Sequence, residues 1–225
     1  MSFFSRFSAS SPERMEKRYY KEQAEAIERV FGKSVDALCK LFPMTEPNLR
    51  DIGSSDPQDK YLDKLGVNAL VHTEEIAIEQ FPLMMSLLSK GREEVSLGQF
   101  QRHADAQVKT TLLATEDRFS GKTVRLLTND IELLKSIAQA NFSPPPPWVV
   151  WHELGPDSAI ERQGNVDFWY RYVWDKFWNR LSLDEQGIYL AEWREKTKHI
   201  SDSEWNDWVM LVRMRDPKYR NAQDE

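Results

Sequence analysis

Hydrophobic positions along the chain recur mostly at helical spacing. Ser11-Pro12-Glu13 supplies a cap residue, a proline at the first helical position and an acid, a favourable helix start. Tyr20, Ala24, Ile27 and Phe31 then form an amphipathic stripe that Gly32 stops. Ser34 caps a second helix with Val35, Leu38, Cys39 and Phe42 on one face, ended by Pro43. Residues 43–58 are rich in Pro, Asp, Ser and Gly and read as a loop. A long helical pattern begins near Pro57, breaks near Gly66 and continues through Val67, Leu70, Val71, Ile78 and Phe81. Pro82 kinks or splits it, Leu83 to Leu88 resume it, and Gly91 closes it. Ser96 opens another helix with Leu97, Phe100, Ala104, Val108, Leu112 and Phe119 facing inward, and Gly121 ends it. A last helix carries Ile131, Leu134 and Ala138. The pattern predicts an all-α fold, with an antiparallel helical bundle or array over residues 12–142.

The run Pro144 to Pro147 breaks this organisation. Its residues have fixed φ and no backbone donor, so it reads as a stiff extended spacer over 143–147. All eight tryptophans lie at or after Trp148, which marks residues 148–225 as a second, smaller unit. Trp148 to Trp151 is short and β-prone but has no strand to pair with, so it is expected to pack on helices. Ser182-Leu183-Asp184-Glu185 and Ser201-Asp202-Ser203-Glu204 both match the capping-box pattern. Three helices packed through tryptophan are predicted here.

The stretch FWYRYVWDKFWNRL at 168–181 raises the main functional question. Tyr170, Trp174, Phe177 and Leu181 share one helical face, and Trp169 and Trp178 widen the apolar arc. Aromatic side chains bury about 150–250 Å² each and can build the core of a small unit. Tryptophan, tyrosine and arginine also dominate binding hot spots. The contact residues expected of a binding surface are Trp169, Arg171, Trp178 and Trp205, and an aromatic cage for a cationic ligand is a further use of the same rings.

Composition narrows the function classes. The net charge is −6, and acids outnumber bases on both sides of the proline run, which argues against a nonspecific nucleic-acid binder. Arg213, Arg215, Lys218 and Arg220 form one local basic cluster, diluted by Asp216, Asp224 and Glu225. No apolar run approaches the ~20 residues of a membrane span, and the opening MSFFSRFSASS lacks the apolar core of a signal peptide. Phe3, Phe4 and Phe7 read as part of a flexible terminus over 1–11, or as a short anchor. The single cysteine, Cys39, sits on an apolar stripe and reads as a small hydrophobe, fitting a cytoplasmic protein.

Candidate chemistry is sparse. His72, Glu75 and Glu79 share a face if the segment is helical, a spacing that could ligate a metal, although no second Glu-x-x-His element completes such a site. Glu74 falls within its stripe and would want a partner, for which His103 is a candidate. His152-Glu153 is followed by Pro156 where a zinc-protease motif needs histidine. No phosphate-binding glycine loop or serine elbow is present. The expectation is a non-catalytic protein-binding protein of the adaptor, inhibitor or immunity type, without cofactor or metal. The alternative is an enzyme or small-ligand-binding protein with a site between the two helical units, where Glu74, His103 and His152 would be suspected first.

Overall fold

The computed structural model describes residues 12–44, 49–52, 59–104, 107–158 and 163–222. Phe3, Phe4, Phe7, Asp224 and Glu225 lie outside them. The chain divides into two compact units. The first comprises Met1–Thr73, Met85–Thr115 and Val124–Gln139, the second Glu74–Met84, Glu116–Thr123 and Ala140–Glu225.

The protein is mixed α/β, not all-α. A six-stranded antiparallel sheet takes the place of two of the predicted helices. Its strands are β1 (Lys60–Tyr61), β2 (Leu70–Ala77), β3 (Glu93–Ser96), β4 (Gln99–Ala104), β5 (Gln107–Arg118) and β6 (Gly121–Thr128), in the order β1-β2-β6-β5-β4-β3. The stripe read over 97–119 is in fact β4 and β5, paired from Gln99↔Leu112 to Ala104↔Gln107. The residues themselves account for the correction. Val108, Thr110, Thr111 and Thr115 are β-branched, lose side-chain freedom in a helix and suit a pleated surface. Likewise, the stripe through Leu70 and Val71 is β2, where neighbouring residues point to opposite faces of the sheet.

Both faces carry apolar side chains, which is why strict alternation was absent. In the first unit, α1 (Pro12–Phe31) and α2 (Val35–Leu41) bring Ile27, Leu38 and Phe42 against Leu112 of β5 and Leu127 of β6, with Val71 packed alongside. On the opposite face, Leu70 meets Leu49 of α3 (Leu49–Ile52) and Leu134 of α5 (Ile131–Gln139). Helices therefore cover both sides of this part of the sheet. The element α4 (Phe81–Ser89) starts with Pro82 in its first turn, where the missing N–H is harmless. Cys39 is partly buried, its Sγ 3.6 Å from the Leu65 carbonyl.

Asp130 ties the first unit together. Its buried carboxylate accepts from Arg92 at 2.7 and 3.0 Å and from Arg102 of β4 at 2.6 Å on each oxygen. It also caps α5 through the Leu133 amide. Arg92 spends its remaining nitrogen on the carbonyls of Leu87 and Lys90, so the buried guanidinium is satisfied.

The second unit holds the short α6 (Pro147–Val150) and α7 (Gly155–Ser158), followed by α8 (Gly164–Trp169), a widened turn over Tyr170–Trp174 and α9 (Asp175–Arg180). It ends with α10 (Leu183–Lys196), α11 (Asp202–Arg215) and α12 (Pro217–Asn221). The Ser182–Glu185 capping box closes in both directions, and Ser201 receives the Glu204 amide. The proline run is buried within this unit. The Ser143 carbonyl accepts the Ala77 amide, and the Pro144 carbonyl accepts the Tyr189 hydroxyl at 2.8 Å. Gly121 makes room for it, since a Cβ there would lie 2.5 Å from the Ile76 oxygen and 2.9 Å from the Pro145 ring. Among the described residues no helix is long and apolar enough to cross a membrane.

Burial would push the Asp130 carboxyl up, but the hydrogen bonds and charges of Arg102 and Arg92 outweigh it and hold it below the ordinary carboxylate value. Its stabilising contribution is therefore complete above about pH 4, the unfolded-chain value, and is lost as pH falls through the lower folded value. Urea unfolding of Asp130→Asn followed from pH 7 to pH 2 should show a loss of about 3–5 kcal/mol at neutral pH, as for breaking a buried ion pair, and a gap to wild type that narrows in acid.

Candidate partner-binding surface

The aromatic helix sorts its side chains through one irregular turn. In a regular α-helix, residues five apart are rotated by roughly 140° and cannot stack. Here the Asp175 amide reaches back five residues to the Tyr170 carbonyl, so the turn absorbs one extra residue. Trp169 is thereby brought over Trp174, with ring centres 5.7 Å apart and planes at 17°. Trp178, one ordinary turn on, stacks on the other side of Trp174 at 5.1 Å and 18°. Tyr189 of α10 and the edge-on Trp148 close around this ladder.

Trp169 and Trp178 are 0% and 2% exposed, so these two sequence-selected contact residues lie inside the unit. Burial first, then the charges of Glu79 and Glu192, pushes the Tyr189 hydroxyl well above its ordinary value, so it stays a neutral donor. Trp205 is partly buried, edge-on to Trp148 at 4.8 Å, with the Arg194 guanidinium 5.2 Å from its ring. Arg171 is exposed and paired with Asp167 at 2.8 Å.

What the helix shows to solvent is a different set. Phe168 and Tyr172 are 39% and 55% exposed, with ring centres 5.1 Å apart. Arg118, from the end of β5, lies 4.8 Å over the Phe168 ring and 4.3 Å over Phe119. Lys176 sits 5.7 Å over Tyr172. The surface is thus a row of rings overlaid by Arg118 and Lys176, with the Arg171–Asp167 pair on the same helix.

The β5–β6 turn that brings Phe119 here is unusual. Phe119 and Ser120 both have positive φ, 53° and 54°. This is the backbone of the tight hairpin turn that Asn-Gly favours, and a bulky residue holds it at a conformational cost. Contacts of the Phe119 ring with Trp151 at 5.8 Å and Phe168 at 6.2 Å offset that cost. Sequence reasoning missed Arg118 and Phe119 because this turn carries no Asn or Gly at its centre. Phe168, Tyr172 and Lys176 were findable as an i, i+4, i+8 row.

Of the other candidates, His72, Glu74, Glu75 and Glu79 are engaged structurally. His72 on β2 is buried with Asp59 at 2.8 Å, Glu75 accepts from Thr123 at 2.7 Å, and Glu79 pairs with Lys196 at 3.2 Å. On a strand, positions three apart face opposite ways, so His72 and Glu75 do not converge. Among the described residues no three His, Cys, Asp or Glu side chains form a metal-binding group. Glu74 lies 4.0 Å from Arg180, His103 is exposed on β4 opposite Val108, and His152 is exposed 3.9 Å from Glu153. Of the C-terminal basic cluster, Arg215 pairs with Asp175, Lys218 caps the Asn179 and Leu181 carbonyls, and Arg213 lies over Tyr219.

No family model matches the chain, and no curated protein or solved structure is detectably similar to it.

Two variants separate core from irregular turn. Trp178→Ala should lose about 3–5 kcal/mol of stability in denaturant unfolding, as for other large buried rings. Deleting Arg171 removes the extra residue and leaves Trp169 four positions before the present Trp174. That variant should fold, keep the far-ultraviolet exciton signal of stacked indoles, and melt within a few degrees of wild type.

Proposed function

We propose that the protein is a non-catalytic binding protein, of the adaptor, inhibitor or immunity type, that grips another protein through the Phe168–Tyr172 face. The observation that carries this reading is the pair of solvent-facing rings braced by Arg118 and Lys176. Large rings held rigid lose little entropy on contact, and aromatic and arginine side chains are the usual anchors of hot spots. Against a chain of net charge −6, this face sets Arg118 and Lys176 over its rings. Its partner is accordingly a protein segment that presents acidic side chains beside apolar ones. A cytoplasmic setting belongs to the same reading, since the single Cys39 allows no internal disulfide.

The test is a photo-crosslinking amino acid at position 172 in cells, followed by titration of the purified cross-linked partner. Tyr172→Ala should weaken that partner about 30-fold, the ~2 kcal/mol of a hot-spot residue, with the melting temperature unchanged. Lys176→Glu should slow association and flatten its salt dependence. Unchanged affinity in both variants would defeat the proposal.

A further inference from the structure

In the first unit, α1 packs on the core through its C-terminal half only. Ile27 is the one fully buried residue of this 20-residue helix, and residues 12–19 are exposed throughout. The space left between helix and sheet is a cleft of about 320 Å³. That lies at the lower end of the ~300–1,000 Å³ typical of small-molecule sites.

Its two walls differ in kind from an ordinary surface groove. Ile27 and Val30 of α1 face Leu62 and Val71 across it. Ile27 and Leu62 belong to the core cluster under α1 and α2, and Val71 packs against that cluster, so one end of the cleft is the open edge of the core. Lys60 and Arg125 line the same space, from β1 and β6. Lys60 is opposite Val71 in the strand pairing and is exposed, which sets this cation on the solvent side. One carboxylate, Glu22, also lines the cleft, and Arg18 holds it at 2.7 Å.

We propose that this cleft binds a small apolar molecule carrying an anionic group, with the apolar part against Ile27, Val30, Leu62 and Val71 and the anion at the exposed Lys60. Apolar walls with a few convergent polar groups are the general build of ligand sites. The inference is independent of the partner-binding surface, which uses other residues.

Decanoate and decyltrimethylammonium share one tail and carry opposite charges, so they serve as probes against the full chain with labelled methyl groups. Decanoate should shift the methyl signals of Ile27, Val30, Leu62 and Val71 saturably, and decyltrimethylammonium at equal concentration should not. Lys60→Glu, at an exposed position that leaves the fold intact, should weaken decanoate about fivefold. Val71→Trp, which fills the cleft, should abolish the shifts, with the remaining methyl spectrum reporting that the sheet is intact. Equal binding of the two probes would overturn the anionic assignment. Decanoate shifts confined to methyls elsewhere, or no shifts at all, would overturn the site.

Discussion

A single buried carboxylate organises the first unit. Asp130 stands where β6 hands over to α5, and it draws Arg92 from just before β3 and Arg102 from the middle of β4 onto itself. A lone charge in that position would be prohibitively desolvated. Two guanidinium groups and a helix N-terminus make it tolerable, and each fixes a different segment of chain. The Asp130 amide is bonded to Thr128, whose hydroxyl meets that of Thr111 across the sheet. Sheet register, the entry to β3 and the start of α5 are thus set from one point.

The second unit solves the same problem by shape instead of charge. Its core is a stack of flat rings, and flat rings stack only if the helix presents them at one azimuth. The extra residue in the Tyr170–Trp174 turn provides that. The same turn leaves Phe168 and Tyr172 outside, so the order of the core and the exposure of the outer rings have one local cause.

How much of this was legible in the sequence varies by element. The helix begun at Pro12, the capping box at Ser182 and the N-cap at Ser201 are signalled by local residue types, which sequence states directly. The sheet was hidden because β2 and β5 are apolar on both faces, so their residues also fit helical intervals. The β5–β6 hairpin was hidden because Phe119-Ser120 takes a turn usually marked by Asn-Gly. The tryptophan-rich stretch was readable as an apolar helix, but not its inside and outside. A widened turn shifts every later position around the axis, and regular spacing has no place for it.

The segregation of the indoles has a practical side. Every tryptophan of the chain lies in the second unit, while the Asp130 clamp and the cleft under α1 lie in the first. Intrinsic indole emission therefore watches one unit and is blind to the other. Backbone circular dichroism sees both. Recorded together during one denaturation, the two signals divide the molecule without any added label, and any lag between them measures how far its two halves melt as one.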